Sequence, residues 1–146
     1  MTENLILETL KRVGKIVAKD LQEKSSEMTG TELYEDKLFI PKFDPKRQYL
    51  NFQAGYICKS DAGRVVKLLQ PYDSSIFTQQ PEELPAQWGF YWSQNPDEAL
   101  PFAAISTSPY MTGDCCMIDD KVYRSTIDNN IWSPVDYPQG WTLVTK

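Results

Sequence analysis

The sequence predicts a mainly β protein in which an N-terminal α-helix precedes two small antiparallel β modules related by internal repeat. The spacing Pro-x-x-x-Pro-x-x-Trp occurs twice, as Pro81, Pro85, Trp88 and as Pro134, Pro138, Trp141. With only 10 Pro and 4 Trp in 146 residues, such recurrence marks a repeat rather than chance. The match extends upstream: Gly55-Tyr56-Ile57-Cys58 aligns with Gly113-Asp114-Cys115-Cys116, Arg64-Val65-Val66 with Lys121-Val122-Tyr123, and Ile76-Phe77 with Ile131-Trp132. An aromatic, Phe52 or Tyr110, stands three residues before each leading glycine. Ahead of both copies, Ile6, Leu10, Val13, Val17 and Leu21 recur at helical spacing.

Residues 1–26 are read as an amphipathic helix. Leu5, Leu7 and Ile16 widen its apolar face, and Glu8–Arg12, Lys19–Glu23 and Asp20–Lys24 are favourable i, i+4 pairs on its flanks. Ser25 to Gly30 is turn-prone and ends it. With no second long helix to pair with, it buries its stripe on another subunit or folds back on its own modules. Ile6, Leu10, Val13, Val17 and Leu21 are the oligomerisation candidates. Residues 27–42 are read as a linker holding the short run Leu38-Phe39-Ile40-Pro41. The first module is assigned to 43–93, with a hairpin from Gly55–Ser60 to Arg64–Leu69 about Asp61-Ala62-Gly63. Residues 94–108 are read as a connection. The second module, 109–146, repeats the hairpin with Cys115–Ile118 and Val122–Ser125 about Asp119-Asp120.

Each module is near the size at which a hydrophobic core alone is marginal, so the copies pack together or neighbouring subunits supply burial. The net charge of -5, with no basic run, excludes nucleic acid and anionic membrane surfaces as expected partners. There is no histidine, which removes Cys-His and Ser-His nucleophile pairs. The three cysteines, Cys58, Cys115 and Cys116, are expected as buried free thiols, and no spacing among them fits a metal. The adjacent carboxylates Glu82-Glu83 and Asp119-Asp120 fall in turns and are expected to be solvated, outside any glycosidase cleft. No catalytic residue, cofactor or metal is expected. The start lacks a basic and apolar leader, so no signal peptide is expected, and no run reaches membrane-spanning length.

The string Trp132-Ser133-Pro134-Val135-Asp136-Tyr137-Pro138-Gln139-Gly140-Trp141 follows Tyr110, Gly113-Asp114 and Lys121-Val122-Tyr123. Together these residues resemble carbohydrate-binding modules of families five and twelve, the small units appended to bacterial chitinases and cellulases. Module two matches over about 35 residues. Module one is a diverged copy in which Phe43-Asp44-Pro45 and Tyr49 fit the family's opening and Phe77 replaces the first Trp. The resemblance implies a compact three-stranded antiparallel fold that binds polysaccharide through exposed aromatic rings. In sugar-binding members aromatics commonly follow the Lys-x-Tyr strand; here those positions are Ser125-Thr126-Ile127 and Leu68-Leu69-Gln70. The order of helix, linker and two modules also resembles small tail or baseplate proteins of phages. That likeness implies a non-enzymatic virion protein, assembled in the host cytoplasm, contacting other tail proteins or a receptor. By analogy with phage fibres it also implies a homo-oligomer, a trimer.

Trp132, Tyr137, Trp92 and Asn130 are the candidates for glycan contact. Trp132 serves equally as a packing residue or as a platform, and Asp128-Asn129-Asn130 also reads as a turn. Phe90-Tyr91-Trp92 is read either as an interface or as a filling between the modules. Trp88 and Trp141 are expected to close each module's core.

Overall fold

The computed structural model describes residues 2–145. It contains an N-terminal helix and two small sheets with antiparallel strands, a mixed α/β architecture. Helix α1 spans Thr2–Lys24 and passes into a 3-10 turn at Ser25–Glu27, where the polar stretch predicted a stop. Among the described residues, no helix is long and apolar enough to cross a membrane.

The segment expected as a linker is instead packed. Helix α2, Gly30–Glu35, opens on a capping box: the Glu32 N–H donates to Thr29 Oγ1 at 3.2 Å, and the Thr29 N–H donates to Glu32 Oε1 at 3.0 Å. It delivers Leu33 and Tyr34 into a core with Leu21, Ile40, Ile57 and Val65. The Tyr34 hydroxyl donates to the Tyr91 carbonyl and accepts from the Val65 N–H, so two buried backbone groups find partners. Burial pushes this phenol's pKa up.

The first sheet has the order β1 (Ile57–Lys59), β2 (Val65–Leu68), β3 (Trp88–Phe90), all antiparallel. Side chains alternate: Ile57 and Val65 face α1 and α2, while Cys58, Val66 and Leu68 face an aromatic core. Both faces are covered, so β1 and β2 read as nearly unbroken apolar runs. The outer edge of β1 is closed by the Gln22 side chain. Its Nε2 donates to the Ile57 carbonyl at 2.7 Å and its Oε1 accepts from the Ile57 N–H at 2.9 Å.

The second sheet has the order β4 (Leu100–Pro101), β5 (Cys115–Ile118), β6 (Lys121–Ser125), β7 (Trp141–Leu143), with β4 parallel to β5 and the rest antiparallel. Strand β4 therefore lies within residues 94–108, expected as a connection. The β5–β6 turn places both Asp119 and Asp120 at positive φ, as a two-residue hairpin turn with matching twist requires.

Several local geometries recur between the sheets. Phe43 stacks on Tyr49 at 5.3 Å, and both meet Trp88 edge-on at 5.8 and 5.2 Å. Phe102 stacks on Tyr110 at 5.4 Å, and both meet Trp141 edge-on at 6.1 and 5.3 Å. The Gly55 N–H donates to the Leu68 carbonyl as Gly113 does to Ser125, and Gln87 donates to Leu84 as Gly140 does to Tyr137. Gly55 and Gly113 both hold φ near +100°, a conformation open to glycine at little cost. The ring that takes the place of Tyr110 against the closing indole in the first sheet is Tyr49; Phe52, which aligns with Tyr110 in sequence, lies half-buried beside it.

One aromatic core runs through both sheets, with Trp92 stacked against Phe90 at 5.9 Å and Tyr110 at 4.2 Å. Glu82, expected in a solvated turn, is instead largely buried. Its Oε2 lies 2.8 Å from Arg64 Nη1 and accepts from Ser60 Oγ at 2.7 Å. Arg64 Nη2 donates to the Pro101 carbonyl, tying β2 to β4. All three cysteines are free and buried, and burial raises the thiols of Cys58 and Cys116 to about 12.

Candidate functional site

Two surfaces stand out, an aromatic pair on the second sheet's loop and the free face of α1. Trp132 is 48 % exposed and Tyr137 37 %, and their rings lie 5.5 Å apart at 53°. The backbone beneath them is pinned. The Trp132 carbonyl accepts from Trp141 Nε1 at 2.9 Å, its N–H donates to Asn130 Oδ1 at 3.3 Å, and the Tyr137 N–H donates to the Ser133 carbonyl at 2.8 Å. Ile131 and Val135 are exposed in the same loop. Two tilted rings on a fixed loop form a shallow apolar wedge, able to stack on the apolar face of a sugar ring without rearrangement.

The other two sugar-contact candidates lie elsewhere. Trp92 is only 8 % exposed, and its Nε1 donates to the Ser108 carbonyl, so its ring joins the sheets instead of meeting a ligand. Asn130 is fully buried. Its Nδ2 donates to Ser125 Oγ and the Gly140 carbonyl, both at 3.0 Å, while its backbone exchanges two hydrogen bonds with Tyr110. It holds the Trp132 loop and offers nothing to solvent. The alternation Phe90-Tyr91-Trp92 resolves the same way: Phe90 and Trp92 enter the aromatic core, and Tyr91 packs on the α2 side.

Phe77 is 42 % exposed in the first sheet's loop, where it aligns in sequence with Trp132. It belongs among the surface aromatics. The alignment of Ile76-Phe77 with Ile131-Trp132 is the sequence signal that points to it. Its neighbouring counterpart of Tyr137, Leu84, is buried, so the aromatic pair is confined to the second sheet.

On α1, every residue from Glu3 to Val13 is exposed. Ile6, Leu10 and Val13 therefore remain open, and Val17 is half-buried. Leu21 is not part of an open stripe: it is 6 % exposed and packs on Leu33, Ile57 and their neighbours, anchoring the helix to the body.

At the start of β5, Asp114 accepts from the Met111 N–H at 2.9 Å, while burial and the Asp128 carboxylate raise its pKa. A carboxyl with a raised folded pKa binds its proton more tightly when folded. Its stabilising contribution is complete below the ordinary Asp value of 3.8 and is lost as pH rises through the folded pKa. Asp114→Asn keeps an acceptor for Met111 and removes the buried charge. A higher urea midpoint is expected at about pH 7, converging with wild type at about pH 3.

No family model, curated protein or solved structure matches this chain. The likeness to sugar-binding modules rests on the residues that carry it: the Tyr110, Gly113-Asp114 and Lys121-Val122-Tyr123 string, and the prolines spaced ahead of Trp141.

Proposed function

We propose that this chain is a non-enzymatic structural protein of a phage or prophage tail or baseplate, an adaptor or receptor-contacting unit. In this reading its body is two copies of one carbohydrate-binding-like module, and its helix assembles the chain into a homo-oligomer or docks it on other tail proteins. The observation that carries the reading is the repeated Phe-Tyr-Trp packing, Phe43/Tyr49/Trp88 and Phe102/Tyr110/Trp141, behind a helix whose apolar residues lack cover. The tail assignment rests on the likeness in the order of helix, linker and two modules. No cofactor or metal enters the proposal. Proteomics of purified virions tests it: the chain is expected in the particle, and its absence there overturns the assignment.

The exposed Trp132–Tyr137 pair favours a second reading, recognition of cell-wall or chitin-like polysaccharide, which in a multivalent particle would be the receptor contact itself. Retention of wild type and Trp132→Ala on chitin and on Gram-positive cell walls separates the readings. Loss of about tenfold in retention is expected for the variant with its circular dichroism unchanged, because the lost stacking is on the order of 1–2 kcal/mol. Equal retention of the two proteins, or none by wild type, removes the glycan reading.

A further inference from the structure

We propose that the groove between α1 and residues 38–41 docks an extended, acidic segment of a partner protein, in which carboxylates alternate with apolar side chains. This rests on the reading of α1 as a docking element and names the chemistry of what docks there. The groove encloses about 630 Å³. One wall is a row of ammonium groups, Lys11, Lys15 and Lys19; the other is apolar, with Leu38, Phe39 and Pro41. Leu38 is 86 % exposed and Phe39 40 %, so this wall leaves apolar surface uncovered.

The lysines are dispersed in the sequence, and the helix brings them into line. At i, i+4 and i+8 they stand about 6 Å apart along one flank. Like charges at that spacing destabilise a helix, and no acid offsets them. No carboxylate lines the groove, and among the described residues none forms an ion pair with these three lysines. The acids on the same flank, Glu8 and Glu23, lie beyond the two ends of the row, and Glu35 and Asp36 precede the opposite wall without lining it. Past Pro41, Lys42 and Lys59 pair as a β-bridge, and Lys42 and Lys37 add to burial in lowering the Lys59 pKa. The positive field therefore continues beyond the groove.

Register selects the occupant. In an extended chain, side chains alternate between faces and those on one face repeat about every 6.7 Å, close to the lysine spacing. Acidic residues at alternate positions can each meet one lysine while the residues between them face Leu38 and Phe39. The floor admits a backbone: Gly14 and Ala18 are small, and a Cβ on Gly14 would meet nothing within 4 Å. Both walls are fixed beforehand. Leu21 and Gln22 hold the helix root, and Lys37 Nζ lies 2.7 Å from Glu98 Oε2 at the start of the apolar wall. A flat bilayer does not reach a floor recessed between two elements. The net charge of -5 repels a long polyanion, whereas a short segment feels the local field, which decays over about 8–10 Å.

Fluorescence anisotropy of a dye-labelled peptide of alternating leucine and glutamate, titrated with the full chain, tests the proposal. The variants are Lys15→Glu and Leu38→Ser, with Lys121→Glu on β6 as the control for net charge. Saturable binding is expected for wild type and Lys121→Glu, and binding about tenfold weaker for Lys15→Glu and for Leu38→Ser. Lys15 and Leu38 lie outside both cores, so near-ultraviolet circular dichroism of these variants is expected to match wild type. No saturable binding by wild type overturns the proposal, as does equal weakening by Lys15→Glu and Lys121→Glu. Equal binding of a leucine–glutamine peptide removes the charge argument and the proposal with it. Two further results overturn it by assigning the groove elsewhere. A change of light-scattering mass in Lys15→Glu gives the groove to a second copy, and Lys15-dependent sedimentation with phosphatidylserine vesicles gives it to a membrane. Failure here leaves the tail assignment standing, since detection of the chain in virions decides that separately.

Discussion

Trp88→Ala is expected to lower stability by about 4 kcal/mol, enough to leave a marginally stable protein largely unfolded at 37 °C. Trp88 is fully buried, and Phe43, Tyr49 and Tyr72 all present their rings edge-on to it within 6.0 Å. Deleting the indole leaves a void of side-chain size among residues that have little room to collapse, and removes three ring pairs of about 0.5–1.5 kcal/mol each, a gain partly counted in the cavity cost. The Tyr72 hydroxyl also loses the Nε1–H that donates to it at 3.0 Å. Trp132→Ala is the natural control. With its ring 48 % exposed, its cost is expected below about 1 kcal/mol. Urea denaturation of the two variants measures the contrast, and a loss near 1 kcal/mol for Trp88→Ala would mean that this indole is not the centre of the first core.

Gly30→Ala is the second large effect, and its sign separates two physical arguments. In a helix, alanine is favoured over glycine by about 1 kcal/mol, which alone predicts stabilisation. Packing predicts the reverse. A Cβ on Gly30 would overlap the Trp92 carbonyl oxygen and sit 3.1 Å from its nitrogen. The obstacle is backbone, and it is held in place. The Gln94 N–H donates to Thr31 Oγ1, Ser93 accepts from the Cys115 N–H, and Trp92 Nε1 donates to Ser108. Relief requires α2 to lift from the sheet, which withdraws Leu33 and Tyr34 from their core. A net loss of about 3 kcal/mol is expected, seen as a fall in Tm on the order of 10 °C. An unchanged or raised Tm would show that α2 is loosely seated.

Legibility in the sequence followed the range of the signal. The extent of α1, its stop after Lys24 and both hairpins with their turn positions depend on contacts a few positions apart, and periodicity and turn chemistry report those directly. The buried closing indoles were legible for a related reason: a large ring at the end of a proline-guided segment has few places to go. Short-range signals say nothing about which faces meet. Trp92 and Trp132 are both tryptophans near a loop, yet one is stacked in the shared core and the other is open, because only the first lies where the two sheets abut. Asn130 looks like a turn residue, but it pairs backbone to backbone with Tyr110, and its side chain is buried against Ser125 and Gly140. Residues 27–42 are too short for a strong helical pattern, so periodicity does not distinguish the six-residue helix that opens on the Thr29 capping box from a linker.

By itself the sequence determined an N-terminal helix with an apolar stripe and two hairpin-bearing segments, each ending in a tryptophan. Only tertiary packing decided that Leu21 belongs to the body while Ile6, Leu10 and Val13 stay open, that Glu82 pairs with Arg64, and that the aromatic pair lies on the second sheet alone. The physical reason is that burial is set by what covers a face. For α1 the sheet reaches only its last turns, and a spacing pattern carries no record of where that cover stops.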